Sequence, residues 1–236
     1  MISVPNPRAQ SLVHQVFTAV SALIRDRGLR AGDDLPSEAH FGEALGVSRT
    51  VVREAFVALA SMKLIDVANG RCARVGRVDE TVLSLSMVHA VQTEQVGVQQ
   101  IWDVRRALES RTAALAALQR SGAEAREIVE LARAMRQAYG DLALQTERDI
   151  AFHIAIARAS RNPLFEILIA SFKAVMEQTC PIGWRSRPSE EERLKVFDQH
   201  ATIAQAIAAQ DPEAAKRAMA EHFELSTKAL TNAGYH

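Results

Sequence analysis

Residues 35–65 read LPSEAHFGEALGVSRTVVREAFVALASMKLI, and their spacing decides the architecture of the first part of the chain. Leu35, Phe41, Leu45, Val47, Val52, Phe56 and Leu59 recur at intervals that close a small apolar core when two helices meet across a turn. The segment from Ser37 to Leu45 is short and helical, Gly46-Val47 make the turn, and Ser48 caps a further helix reaching about Met62. With the apolar residues turned inward, Ser48, Arg49, Thr50 and Arg53 stand at the exposed N-terminal end of that helix.

Upstream, Leu12, Val16, Ala19, Val20 and Leu23 form a helical stripe between Arg8 and Arg27, which Gly28 and the Gly32-Asp33-Asp34 cluster end. Downstream, Ile65, Val67 and Val75 flank an Asn69-Gly70 pair, the strongest short-range hairpin signal. Three helices and a hairpin predict a winged helix-turn-helix over residues 1–78. From Asp79 onward the hairpin signals stop. Ser121 with Glu124 and Ser189 with Glu192 read as capping boxes, and Asn162-Pro163 and Asp211-Pro212 pair an N-cap with a proline at the first helical position. About seven helices follow, near 79–94, 97–119, 122–139, 143–160, 163–179, 190–209 and 212–231. The fold class is mainly α, with an antiparallel helical bundle over residues 79–236.

Composition supports an ordinary globular, helix-leaning chain: 48% hydrophobic, 24% charged, 11 Gly and 7 Pro in 236 residues. No apolar run approaches the roughly 18 residues of a membrane span, and the opening MISVPNPRAQ lacks a signal-peptide core, so a cytoplasmic protein without membrane partners is expected. Cys72 and Cys180 are too few and too far apart for a disulfide framework. The net charge of zero conceals an asymmetry, with 10 Lys+Arg against 7 Asp+Glu up to Val78 and a net −3 beyond. A mildly basic head on an acidic body fits nucleic acid at one end only.

The ordered run of a proline-bearing turn, a short helix, Gly46-Val47-Ser48-Arg49 and Val52-Arg53-Glu54-Ala55 resembles the N-terminal signature of the GntR family of transcription regulators. A helix N-terminus offers N–H groups to phosphate, and Arg49 and Arg53, four apart, share a face from which arginine reads guanine. The resemblance implies that these two are the principal DNA contacts. It gives Ser37, Ser48 and Thr50 contacts to phosphate or base, and it places Asn69, Gly70 and Arg71 as a wing tip in the minor groove. The sequence departs from the family pattern at Val51, where proline is common, and in the wing GRCARV, which lacks the usual aromatic. VRRALE at 104–109, DIAFH at 149–153, the SRNP turn ending at Pro163, and His200 and His222 resemble the FCD ligand-binding domain of the FadR subfamily.

Asp149 and His153 lie four apart on one helical face, where one cation can bridge them. His200 shares a stripe with Leu194, Phe197, Ala204 and Ile207, and His222 one with Ala215, Met219, Leu225 and Ala229. One carboxylate and three imidazoles pointing inward suit a divalent ion, zinc first and nickel or another transition metal after it. The plainer reading is a buried, hydrogen-bonded polar cluster. Arg105 falls on an inward stripe with Ile101, Leu108 and Thr112, and the resemblance makes it the partner of an effector carboxylate, such as a sugar acid, dicarboxylate or hydroxy acid. The bland alternative pairs it with Glu109, one turn on. Asn162 is a second cavity candidate, although its capping role also explains it, and Trp184 and Arg185 fall in an expected loop before the sixth helix. The expected function is that of a homodimeric repressor released from palindromic operator DNA by that effector. A metal-dependent hydrolase and a constitutive DNA binder with a structural metal are the alternatives.

Overall fold

A computed structural model describes residues 7–67 and 72–235. By packing, the chain divides into two compact units, with the boundary between Val82 and Leu83.

In the first unit α1 (Pro7–Asp26), α2 (Glu38–Leu45) and α3 (Arg49–Ser61) precede a two-stranded antiparallel sheet, β1 (Ile65–Asp66) against β2 (Arg74–Val75). Ser37 caps α2 by accepting from the His40 amide at 3.2 Å, and Ser48 caps α3 by accepting from Val51 at 3.4 Å. Gly46 ends α2 with φ of 64°, a left-handed conformation that glycine adopts without a Cβ penalty. Val52, Ala55, Phe56 and Leu59 form the buried face of α3, where they meet Val16, Val20, Leu35 and Phe41 in one core. Phe56 lies edge-on to Phe41 at 5.6 Å. The register pairs Ile65 with Val75, and the segment before α2 adds a bridge from Asp34 to Arg74 that carries a 2.8 Å ion pair. This is the winged helix-turn-helix expected from the sequence. The wing residues Asn69, Gly70 and Arg71 lie outside the described residues.

The second unit is helical throughout its described residues: α4 (Thr81–Gln92), α5 (Val98–Gln119), α6 (Gly122–Gln137), α7 (Leu142–Ala159), α8 (Pro163–Ser171), α9 (Lys173–Arg185), α10 (Glu190–Ala208) and α11 (Pro212–Asn232). The reciprocal Ser121–Glu124 box and the Asn162 and Asp211 caps ahead of proline are in place, whereas Ser189 accepts from the Glu192 amide at 3.2 Å as a one-way cap. α5 packs on α11, α11 on α10, α10 on α6, α6 on α7 and α7 back on α5, so five helices close a ring, with α9 against α7 and α11. Phe152, Ile156, Phe197, Ile203, Met219 and Phe223 fill its centre.

The helix expected over 163–179 is two helices. The chain turns at Phe172, which is 2% exposed and packs with Ile101, Ile150, Ile169 and Met176, so burial of this ring fixes the corner without a glycine, proline or polar cap. α9 then runs through Pro181 to Arg185. Trp184 and Arg185 are therefore helical, not in a loop. Leu225, placed on the inward stripe of His222, is 45% exposed.

Candidate functional site

On α3 the packing that buries Val52 and Phe56 leaves Ser48, Arg49, Thr50 and Arg53 exposed together, with Ser37 exposed at the start of α2. Among the described residues no carboxylate pairs with Arg49 or Arg53. Two free guanidiniums beside a capped helix N-terminus form a surface that can take phosphate and base edges.

In the second unit the ring of helices brings His153 from α7, His200 from α10 and His222 from α11 together. All three are buried, and each offers one ring nitrogen within 4.8 Å of the others. Asp149, one turn before His153, places Oδ1 2.8 Å from Nε2 of His200 and 3.7 Å from Nε2 of His153. Two donors each about 2.1 Å from one ion span roughly 3 to 3.4 Å, so these separations straddle what a shared cation needs. The ring orientations agree. Nδ1 of His200 lies 2.7 Å from the Val196 carbonyl, and donation there leaves a lone pair on Nε2, turned toward the carboxylate. A lone pair and a carboxylate oxygen in contact call for a proton or a metal between them. His222 Nδ1 has no hydrogen-bond partner among the described residues. The donor set fits a divalent transition metal.

Behind His153 stands a residue that the sequence reading weighed only as a partner of Arg105. Nδ1 of His153 is in contact with Oε2 of Glu109, while Oε1 of Glu109 accepts from Nε of Arg105 at 2.8 Å. Both Arg105 and Glu109 are 1% exposed. The Arg105 guanidinium lies 4.7 Å over the Trp102 ring and 5.0 Å over Phe223, and its two Nη groups have no hydrogen-bond partner. A carboxylate behind a histidine fixes the tautomer and ring angle of a metal ligand. The signal for this role existed in the i, i+4 spacing of Arg105 and Glu109, but pairing with His153 requires α5 to lie against α7.

Charges follow from these contacts. Burial raises the Asp149 carboxyl, but hydrogen bonds from His153 and His200, with their charge, hold it well below the usual carboxylate range. Burial also opposes charging of His153, yet the Glu109 and Asp149 carboxylates outweigh it and lift the imidazole to about 9. Burial, then repulsion from His200 and His153, pushes His222 well below its ordinary value, so its lone pair is available.

A cavity of about 60 Å³ adjoins the cluster, lined by Trp102, Gln145, Asp149, Cys180, Arg187 and His222 among others. Arg187 already donates from Nη1 to the Gly183 carbonyl at 2.6 Å, and Cys180 Sγ lies 3.5 Å from Oδ2 of Asp149. Trp184 lines this cavity, whereas Arg185 lies on an outer groove between α7 and α9. Asn162 is not gathered into the site. It is exposed at the start of α8, where its side chain accepts from the Leu164 amide at 3.1 Å.

Residues 12–75 match the family model of bacterial regulatory proteins of the gntR family, and residues 100–225 match the FCD domain. The chain is a FadR-type member of the GntR family. It is 31% identical over 204 residues to the HTH-type transcriptional regulator LutR of Bacillus subtilis strain 168, covering 85% of this chain and 92% of that one. It is 30% identical over 221 residues to the Glc operon transcriptional activator of Escherichia coli K12, covering 91% and 87%. The HTH-type transcriptional repressor NanR of Citrobacter rodentium is 28% identical over 219 residues, covering 90% and 83%. A solved structure of a Streptococcus agalactiae GntR protein shares the fold, with a TM-score of 0.67 at 23% identity over 92% of this chain and 99% of that one. GntR regulators bind operator DNA and effector molecules, and they are not enzymes. Among the described residues no helix is long and apolar enough to cross a membrane.

Proposed function

We propose that this GntR regulator is a homodimeric repressor whose N-terminal domain, residues 1–78, binds a palindromic operator. Residues 79–236 release it when a small carboxylate reaches a metal held by Asp149, His153, His200 and His222. The observation that carries this reading is the convergence of three buried imidazoles, with the Asp149 carboxylate in contact with His200, beside a small cavity. Zinc suits the four donors, and nickel is the alternative. A divalent ion held by one carboxylate and neutral imidazoles keeps a net positive charge, which attracts an anion. The two unpartnered Nη groups of Arg105 leave it able to hold Glu109 and take a carboxylate oxygen as well. Asn162 has no part in this reading, since its capping bond accounts for it. Two-fold symmetry doubles the contact set of a single winged helix, which by itself reads too few base pairs.

A ligand shifts an equilibrium only by its differential affinity for two states, so the carboxylate must bind the released form more tightly than the operator-bound form. The test is operator affinity of metal-loaded protein, measured across sugar acids, dicarboxylates and hydroxy acids, with His200→Ala and His222→Ala alongside. Release by one acid in wild type, and loss of that response in both variants, is the expected result. An acid that tightens binding makes the protein ligand-activated for DNA binding and reverses the sign of this mechanism. No response to any acid removes the sensor role.

A further inference from the structure

The histidine cluster leaves two polar groups of the cavity unused. Gln145, one turn before Asp149 on α7, is 5% exposed, and neither its Oε1 nor its Nε2 has a hydrogen-bond partner among the described residues. Trp102 on α5 is 6% exposed, lines the same cavity, and leaves its Nε1–H without an acceptor among the described residues. Neighbouring hydroxyls differ. Thr146 donates to the Leu142 carbonyl and Thr179 to that of Val175, each at 2.8 Å, so both are satisfied within their own helices. An idle buried donor or acceptor is destabilising, and a side-chain amide offers one of each kind.

The chemistry of the missing partner follows from this inventory. A carboxylate has acceptors only, so it would serve the Gln145 amino group and the indole N–H but set an oxygen against Oε1. A hydroxyl both donates and accepts, and it can satisfy Oε1 together with either N–H. The cavity volume of about 60 Å³ admits a handful of heavy atoms. We propose that Gln145 and Trp102 form a hydroxyl-recognising subsite beside the histidine cluster, which selects a small hydroxylated monocarboxylate over its deoxy counterpart and over a plain dicarboxylate. The inference rests on the reading of this domain as a carboxylate sensor, and it assigns the part of the effector that the metal and Arg105 do not take.

The experiment is calorimetric titration of metal-loaded, full-length protein with matched pairs: glycolate and acetate, lactate and propionate, malate and succinate. Wild type, Gln145→Met and Trp102→Phe are compared. Methionine keeps the volume of glutamine without its hydrogen bonds, and phenylalanine keeps an aromatic ring under Arg105. Wild type should bind at least one hydroxy acid ~100-fold or more tighter than its deoxy partner, since a site built around a hydroxyl strongly rejects the analogue lacking it. Gln145→Met should collapse that ratio to a few-fold while metal content and deoxy-acid affinity hold, and Trp102→Phe should reduce it in part. Equal binding of both members of every pair by wild type, or a ratio that survives in both variants, overturns the subsite and leaves the sensor reading intact. Binding of no acid of either kind overturns the sensor reading, and the subsite with it. If circular dichroism shows Gln145→Met unfolded, Trp102→Phe decides.

Discussion

The Nε of Arg105 donates to Oε1 of Glu109 at 2.8 Å, within one helix and with both side chains 1% exposed. Because the other Glu109 oxygen meets His153, this ion pair is continuous with the histidine cluster rather than a separate structural brace. Glu109→Gln should therefore act on the metal as well as on the fold. Loss of an outer-shell carboxylate costs roughly 10- to 100-fold in metal affinity. Removing one partner of a buried pair costs about 3–5 kcal/mol of stability, an upper range here because glutamine still accepts a hydrogen bond. Competition with a chelator and thermal melting measure the two effects. Wild-type metal affinity in a folded Glu109→Gln protein, compared above pH 9 where proton competition at His153 no longer differs between the two, would show that Glu109 serves Arg105 alone.

Arg49 and Arg53 are exposed, and neither has a carboxylate partner among the described residues, so alanine at either position breaks no ion pair there. Each substitution should weaken specific operator binding by about 1–3 kcal/mol, or roughly 5- to 150-fold, with an unchanged melting temperature. Gel-shift titration beside a melting curve checks both halves. A variant that binds like wild type removes its arginine from the DNA interface.

Gly76 sits where its amide donates to the Leu64 carbonyl at 2.9 Å. A Cβ there would collide with the Lys63 carbonyl oxygen and come within 3.0 Å of the Ile65 nitrogen. Both obstacles are backbone and cannot rotate away. Gly76→Ala should strain the base of the hairpin and destabilise the first unit by about 1–3 kcal/mol. Operator affinity should fall while metal content, a property of the second unit, is retained. Normal DNA binding by this variant would mean that the backbone from Lys63 to Ile65 gives way without cost.

What the sequence revealed was set by the range of each interaction. Ser48 capping α3, the inward run of Val52, Phe56 and Leu59, and the i, i+4 pair Asp149 and His153 are local patterns, and they appear in the structure where spacing put them. His200 and His222 are marked by the FCD resemblance, and the apolar stripe on which each lies turns it inward. Glu109 as the support of His153, and Gln145 as a cavity residue, depend on which helices become neighbours, and periodicity does not specify that. The corner at Phe172 was missed for a related reason. No breaker marks it, and the ring is fixed by Ile101 and Ile150 from distant segments. Pro181, for its part, does not end α9, which accepts it and continues to Arg185.

The charge state of His153 links metal binding to pH. In the metal-free protein the imidazole is lifted to about 9, because Glu109 and Asp149 outweigh the burial that opposes its charge. At neutral pH it therefore carries protons on both nitrogens, and Nε2 must lose one before it can bind a metal. Asp149 is already ionised and His222 already neutral at that pH, so neither adds a second proton to the count. Metal binding therefore releases at least the one proton of His153, and affinity rises with pH by about tenfold or more per unit until it levels near pH 9. Calorimetry with zinc, in buffers of differing ionisation enthalpy at pH 6.5, 7.5 and 8.5, reads the proton release directly. Glu109→Gln should lower the pH at which the rise levels off, because the largest charge stabilising protonated His153 is gone. Zinc affinity that is flat across this range in wild type would place the metal on nitrogens that are already unprotonated, and His153 would then be a supporting residue rather than a ligand.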